Sequence, residues 1–179
     1  MLDTGGVMNV DMEYAEYFEI IETETTGRYD VVPLFTDPFI FKELRRDLLD
    51  GISGEPTLIC GIESIGFILG SAIAVDLGIG FVPLRKGGKL PYTDEDIIRR
   101  EFIDYSNSAK TLEFRTDSVT DTDSVLLIDD WIETGAQMLA ATELVEQAGA
   151  TVHAIGVITA DQNAQTAALC EEYDVFHLN

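Results

Sequence analysis

The sequence predicts an α/β fold, a parallel sheet covered on both faces, and three observations predict it. Short apolar runs, "TLICG", "FVPLR", "SVLLID" and "TVHAIGVITA", alternate with longer stretches of helical period. Several of these runs are apolar throughout, as strands buried on both faces are. The helical stretches stop at glycine, so strand and helix alternate as discrete elements.

Each element has its own signals. In "TDPFIFKELRRDLLDGI", Asp37 is the expected N-cap and Pro38 the first helical residue. Ile40, Phe41, Leu44, Leu48 and Leu49 follow the helical period, and Gly51 ends it. "TLICG" reads as a buried strand, and "IGFILGSAIAVDLG" as a helix stopped by Gly78. "FVPLR" (81–85) reads as a strand whose ladder Pro83 weakens. Residues 86–105, with Gly87, Gly88, Pro91 and many charges, read as a long functional loop. "AKTLEFRT" is expected as a half-exposed strand and "SVLLID" as a central one. "AQMLAATELVEQAG" follows as a helix ending at Gly149, and "TVHAIGVITA" as the next strand. No internal repeat, linker or low-complexity tract interrupts this order.

The 179 residues, 46% hydrophobic, suit one domain with a sizeable core. No stretch approaches the roughly 20 apolar residues of a membrane span, and the acidic N-terminus lacks a signal pattern. A soluble, cytoplasmic protein is expected, with Cys60 and Cys170 as buried reduced thiols. Net charge is -22, from 33 acids against 11 basic residues, which disfavours a nucleic-acid partner. Such an excess resembles proteins of a salt-rich cytoplasm. Yet Arg85, Lys86, Lys89, Arg99 and Arg100 crowd into one short window. A very acidic chain must otherwise repel an anionic ligand, so the window marks an anion site.

Asp129 and Asp130 leave the carboxyl end of the strand "VLLI", where ligands bind in such sheets. Glu133-Thr134-Gly135-Ala136-Gln137 then turns into a helix. Free N–H groups at a helix N-terminus attract phosphate, and Gly135 permits close approach. Two carboxylates repel a bare phosphate, so the ligand must also offer hydroxyls or a metal. A ribose 5-phosphate meets both demands. A Walker B strand is the competing reading of the acids, but no G-x-x-x-x-G-K-[ST] accompanies it, and no G-x-G-x-x-G is present. A receiver-type phosphoacceptor site leaves the turn and the basic window unexplained. Capping of the turn by the two acids is the purely structural alternative. His153 and His177 lack partners at metal-ligand spacing and read as structural.

"VLLIDDWIETGAQ" resembles the signature of type I phosphoribosyltransferases, and "GIESIGFILGSAIAVDLGIGFVPLRKGGKLP" is similar to the adenine-specific branch. The resemblance runs from about Tyr29 to Val157. It implies the type I fold, with a small hood and a flexible loop. Residues 1–28 would form an N-terminal extension and part of the hood, and 29–179 the phosphoribosyltransferase domain. The implied reaction transfers ribose 5-phosphate from phosphoribosyl pyrophosphate to a purine base, with Mg2+ and release of pyrophosphate, in a homodimer. Asp129 and Asp130 would bind the ribose hydroxyls and, through the substrate, the metal. Glu133, Thr134, Gly135, Ala136 and Gln137 would hold the 5-phosphate. Gly61, Glu63, Ser64, Arg85, Lys86 and Lys89 would hold the pyrophosphate. Arg28, Tyr29 and Trp131 would form the base pocket, and Asp104 would exchange a proton with the base.

The resemblance has departures. Ile65 stands where the adenine enzymes carry an Arg, Glu133 adds an anion beside the phosphate turn, and Gln137 replaces a hydroxyl. The first two favour the competing reading of a non-catalytic or weakly catalytic sensor or regulator on the same fold. The retained cation run favours an enzyme. A metal-dependent phosphate-ester hydrolase, the third reading, lacks a further ligand cluster.

Overall fold

A computed structural model of the chain describes residues 12–23, 29–104 and 106–179. It divides into two compact units, Met1–Leu44 and Arg45–Asn179. The first holds helix α1 (Tyr14–Ile20), a ribbon of β1 (Glu22–Thr23) and β2 (Tyr29–Asp30), and the single turn α2 (Pro33–Thr36). Helix α3 (Pro38–Asp50) begins there. Asp37 Oδ1 accepts the N–H of Phe39 at 2.8 Å and that of Ile40 at 3.2 Å, so the expected cap is made.

The second unit is built on β3 (Leu58–Ile62), α4 (Ile65–Leu77), β4 (Gly80–Lys86), β5 (Ile97–Ile103), β6 (Ala109–Arg115) and β7 (Ser124–Ile128). Then come β8 (Trp131–Ile132), α5 (Ala136–Gln147), β9 (Thr151–Gly156), β10 (Thr159–Ala160), α6 (Ala164–Glu172) and β11 (Val175–Phe176). Seven strands form one sheet in the order β11-β9-β7-β3-β4-β6-β5. The first five run parallel, while β6 and β5 form an antiparallel arm on β4. All five residues of β3 are buried, as its unbroken apolar run requires. Cys60, Ile62, Leu84, Phe114 and Leu127 of the sheet pack with Met138, Ala141, Leu144 and Val145 of α5.

The parallel register sets the carboxyl ends of β4, β3, β7 and β9 side by side: Ile62 lies opposite Leu84, Gly61 opposite Ile128, and Ile128 opposite Gly156. Helix α4 sits close against β3 because glycines line the contact. A Cβ on Gly61 would come within 2.3 Å of the Gly66 carbonyl oxygen, and one on Gly66 within 2.5 Å of the Ile128 carbonyl oxygen.

The expected elements form, with three corrections. Residues 86–105 are not one loop: all seven residues of β5 pair with β6. Charges hid this strand, because β5 is a sheet edge, where charged side chains are favoured. "TVHAIGVITA" splits into β9 and β10, the second leaving the main sheet to pair with β8. Cys170 is exposed, while Cys60 is buried. Pro83 is tolerated because β4 meets β6 only at Arg85 and Lys86, leaving the flank at Pro83 without a ladder.

Gly66→Ala drives a methyl into the backbone at Ile128 and is expected to cost about 1–3 kcal/mol. A lowered melting temperature by calorimetry checks this, and an unchanged one contradicts the close approach.

Candidate functional site

Three features meet along the carboxyl edge of the sheet. The first is the acid pair after β7. Asp129 is 3% exposed. Its Oδ1 accepts the Asp130 N–H at 3.0 Å, and its Oδ2 accepts Gln137 Nε2–H at 2.9 Å. Burial, then the neighbouring Asp130 charge, push the Asp129 carboxyl well above the usual carboxylate range. Asp130 is half-buried, and its carbonyl accepts the N–H groups of Ile158 (3.0 Å) and Thr159 (3.1 Å). The two acids therefore differ: one is sunk and held by amide donors, and the other lies nearer the surface.

The second feature is the turn into α5. Gly135 takes φ +84°, and a Cβ there would meet the Gln165 side chain. The turn thus demands glycine on both conformational and steric grounds. Thr134 Oγ accepts the Ala136 N–H at 3.4 Å. First-turn N–H groups of a helix have no partner within it, so this end of a twelve-residue helix can receive an anion. Glu133 is half-buried, and its carbonyl accepts Asn163 Nδ2–H at 2.8 Å. Asn163 also caps α6 by accepting the N–H groups of Gln165 and Thr166 at 3.0 Å, and so ties that helix to the turn.

The third feature is the cation run at the end of β4. Arg85 Nε–H and the Lys86 N–H both donate to Glu63 Oε2 at 3.0 Å, and Lys89 Nζ donates to Glu63 Oε1. Burial pushes the Glu63 carboxyl up, but the hydrogen bonds from Lys89, Lys86 and Arg85 outweigh it and hold it below its ordinary value. Ser64 is exposed and precedes α4, and Gly61 lies inside β3. The β5–β6 arm is anchored beside this run by Glu113, which is fully buried. Glu113 accepts from Arg99 Nε–H at 2.9 Å, the Lys89 N–H at 3.1 Å and the Leu90 N–H at 3.3 Å. Arg100 pairs instead with Glu143 of α5.

The remaining expected residues stand apart from this geometry. Asp104 sits at the tip of the β5–β6 hairpin, where its Oδ1 accepts from Ser106 N–H, Ser106 Oγ–H and Ser108 N–H. Hydrogen bonding from Ser106 holds its carboxyl below the usual range, which makes it a weak base. Trp131 Nε1–H donates to Asp161 Oδ1 at 3.0 Å. Tyr29, on β2 of the first unit, is exposed. Arg28 lies outside the described residues. His153 is structural as expected: its ring nitrogens meet the Ser53 carbonyl at 2.8 Å and Ser124 Oγ at 3.1 Å.

Four positioning residues escaped sequence reasoning. Asn163 has a signal, an Asn directly before the helical "AQTAALCEE". Gly66 has a weaker one, as one of three glycines spaced along "GIESIGFILG". Asp161 and Glu113 have none, because single acids in mixed stretches look like solvated ones. Among the described residues, no group of three or more His, Cys, Asp or Glu side chains could hold a metal ion. The edge offers, in order, anchored cations, an acid pair and an open helix end. Such a row suits a polyhydroxylated ligand carrying anionic groups at both ends.

Residues 39–178 match the family model described as a phosphoribosyl transferase domain. The chain is 42% identical over 130 residues to the adenine phosphoribosyltransferase of Nitrosococcus oceani, covering 72% of this chain and 74% of that one. It is 40% identical over 126 residues to that of Paracidovorax citrulli, covering 69% of this chain and 66% of the relative's length. Among solved structures, the adenine phosphoribosyltransferase of Rhodothermus marinus superposes with a TM-score of 0.82 at 29% identity, covering 92% and 96% of the two chains. That of Saccharomyces cerevisiae, solved with adenine and an imino-altritol bisphosphate, gives 0.80 at 26% identity, covering 93% and 98%.

Glu113 stabilises the fold only while ionised: burial raises its pKa, but hydrogen bonds from Arg99, Lys89 and Leu90 lower it further, below the ordinary value. The stabilisation is therefore complete above the unfolded pKa of about 4.3 and is lost as pH falls through the lower folded value. Glu113→Gln is expected to cost about 1–3 kcal/mol at pH 7. Urea unfolding at pH 7 and below pH 4 checks this, the gap from the parent protein narrowing in acid.

Proposed function

The chain belongs to the phosphoribosyl transferase domain family, and on that premise we propose that it transfers ribose 5-phosphate from phosphoribosyl pyrophosphate to a purine base, releasing pyrophosphate, in purine salvage. The observation that carries this reading is the row on the sheet edge: the Asp129–Asp130 pair directly before the glycine turn into α5, with the Arg85–Lys89 run two strands away. Adenine is the first base to test, because the relatives and structures named above are adenine phosphoribosyltransferases.

In the proposed mechanism, Asp129 and Asp130 accept hydrogen bonds from the two ribose hydroxyls. The backbone of residues 133–137 receives the 5-phosphate. Backbone donors serve whatever the side chains are, so Glu133 and Gln137 are compatible with the role. Gln137 turns its amide to Asp129 instead of the phosphate and helps hold the acid in place. Arg85, Lys86 and Lys89, with the Glu63–Ser64 turn, face the pyrophosphate. A nucleobase nitrogen then attacks the anomeric carbon as the bond to pyrophosphate breaks, through an oxocarbenium-like transition state that the nearby carboxylates stabilise. Asp129 and Asp130 offer hard oxygen donors that would hold a magnesium ion. When bound, it neutralises the leaving group.

Trp131, directly after the acid pair, is assigned to stacking on the base, a contact worth about 1–3 kcal/mol in related settings. Residues 1–28 are assigned to an N-terminal extension and part of the hood, and Arg28 and Tyr29 to base recognition. The free cysteines suit a reducing, cytoplasmic location. A homodimer is proposed through α4, which exposes Ile68 and Val75, the latter 80% exposed.

Turnover of adenine, guanine, hypoxanthine or xanthine with the pyrophosphate donor and magnesium tests the reaction, and none being used would overturn it. The Asp129→Asn, Asp130→Asn double variant is expected to lose donor binding by calorimetry, and Asp130→Asn alone, which leaves the acceptor oxygens of Asp129 in place, to weaken it with an unchanged melting temperature. Val75→Glu is expected to yield monomers by light scattering, and a monomeric parent protein would contradict the dimer.

A further inference from the structure

The cations assigned to pyrophosphate already hold a carboxylate. Glu63 is 11% exposed at its side chain and takes Arg85 Nε–H, the Lys86 N–H and Lys89 Nζ on its two oxygens. These donors come from the whole length of the run, whose ends are four residues apart in sequence. Glu63 reaches them from the neighbouring strand end, since β3 pairs with β4 up to Ile62–Leu84 and the Glu63 N–H donates to the Leu84 carbonyl at 3.1 Å. Its carboxylate is anchored from its own backbone outward, so it cannot diffuse away.

We propose that Glu63 is a resident counter-anion that trades places with pyrophosphate on Arg85 and Lys89 and, by returning, speeds the release of that product. The proposal rests on the pyrophosphate reading of the run and adds a role for the Glu63 side chain. Three physical points support it. In a chain of net charge -22, unpaired cations at a sheet edge would be drawn to any of the 33 acids, and a fixed partner holds them in one place. A carboxylate and a phosphoryl group accept the same donors in similar geometry, so exchange needs little rearrangement. An intramolecular competitor also acts at high effective concentration, which lowers the net affinity for the anion it replaces. The carboxyl is held in its ionised form by the same donors, so it competes throughout the neutral range.

Glu63→Gln keeps the shape and the acceptor oxygen but removes the charge. Calorimetric titration with inorganic pyrophosphate and magnesium is expected to show about tenfold tighter binding than the parent protein, the worth of one charge-assisted hydrogen bond. In the transfer assay, KM for the donor and kcat are expected to fall together, because ground-state binding tightens while product leaves more slowly. A merely structural Glu63 would instead give weaker pyrophosphate binding and a raised KM, and that result, or unchanged affinity, overturns the proposal. Lys89→Ala serves as the control, weakening pyrophosphate with or without the charge at residue 63. The readouts separate the two claims. Tighter pyrophosphate binding with no base turned over would sustain the exchange and sink the transferase reading, whereas transfer with unaltered pyrophosphate affinity would do the reverse.

Discussion

A carboxylate buried at the end of a buried strand is the constraint around which the carboxyl edge of the sheet is organised. Asp129 has almost no access to water, and amide donors, the Asp130 carboxylate and the close wall of Gly66 lie against it. Such a group is unstable in isolation. It persists because β7 is pinned on both sides by parallel partners and because α4 and α5 both begin within reach of it. The glycines of "GIESIGFILG" follow from the same constraint: any side chain at Gly66 would collide with the backbone that presents the acid.

Around that fixed point, charge is handled by local pairing. Most of the basic window is committed to nearby acids: Arg85 and Lys89 to Glu63, Arg99 to Glu113 and Asp94, and Arg100 to Glu143. A protein with three times as many acids as bases holds most of its described cations in place by giving them a local partner. The partners differ in character. Glu113 is wholly buried and belongs to the framework of the arm, while Glu63 borders the exposed end of the sheet.

The sequence disclosed those parts of the fold that depend on period and punctuation. Asp37, Gly78 and Gly149 bound helices as their residue types require, and the run "SVLLI" is the buried central strand that its composition implies. Strand β5 was hidden because pairing with β6, not apolar content, defines it; "IIRREFI" has its charges on an edge. At the site, the adjacency of the two acids to the glycine turn was legible, since all lie within one short stretch. Their inequality was not, because the burial of Asp129 depends on Gly66 of α4, about sixty residues earlier. Likewise the cation cluster was visible as composition, but its partners Glu63 and Glu113 come from other strands, and spacing along the chain says nothing about them.

The Trp131 side chain, anchored through its ring nitrogen to Asp161, is the only indole in the chain. All tryptophan emission of this protein therefore originates beside the acid pair. Its wavelength and intensity form a built-in optical gauge of that one neighbourhood, undiluted by signal from elsewhere in the molecule.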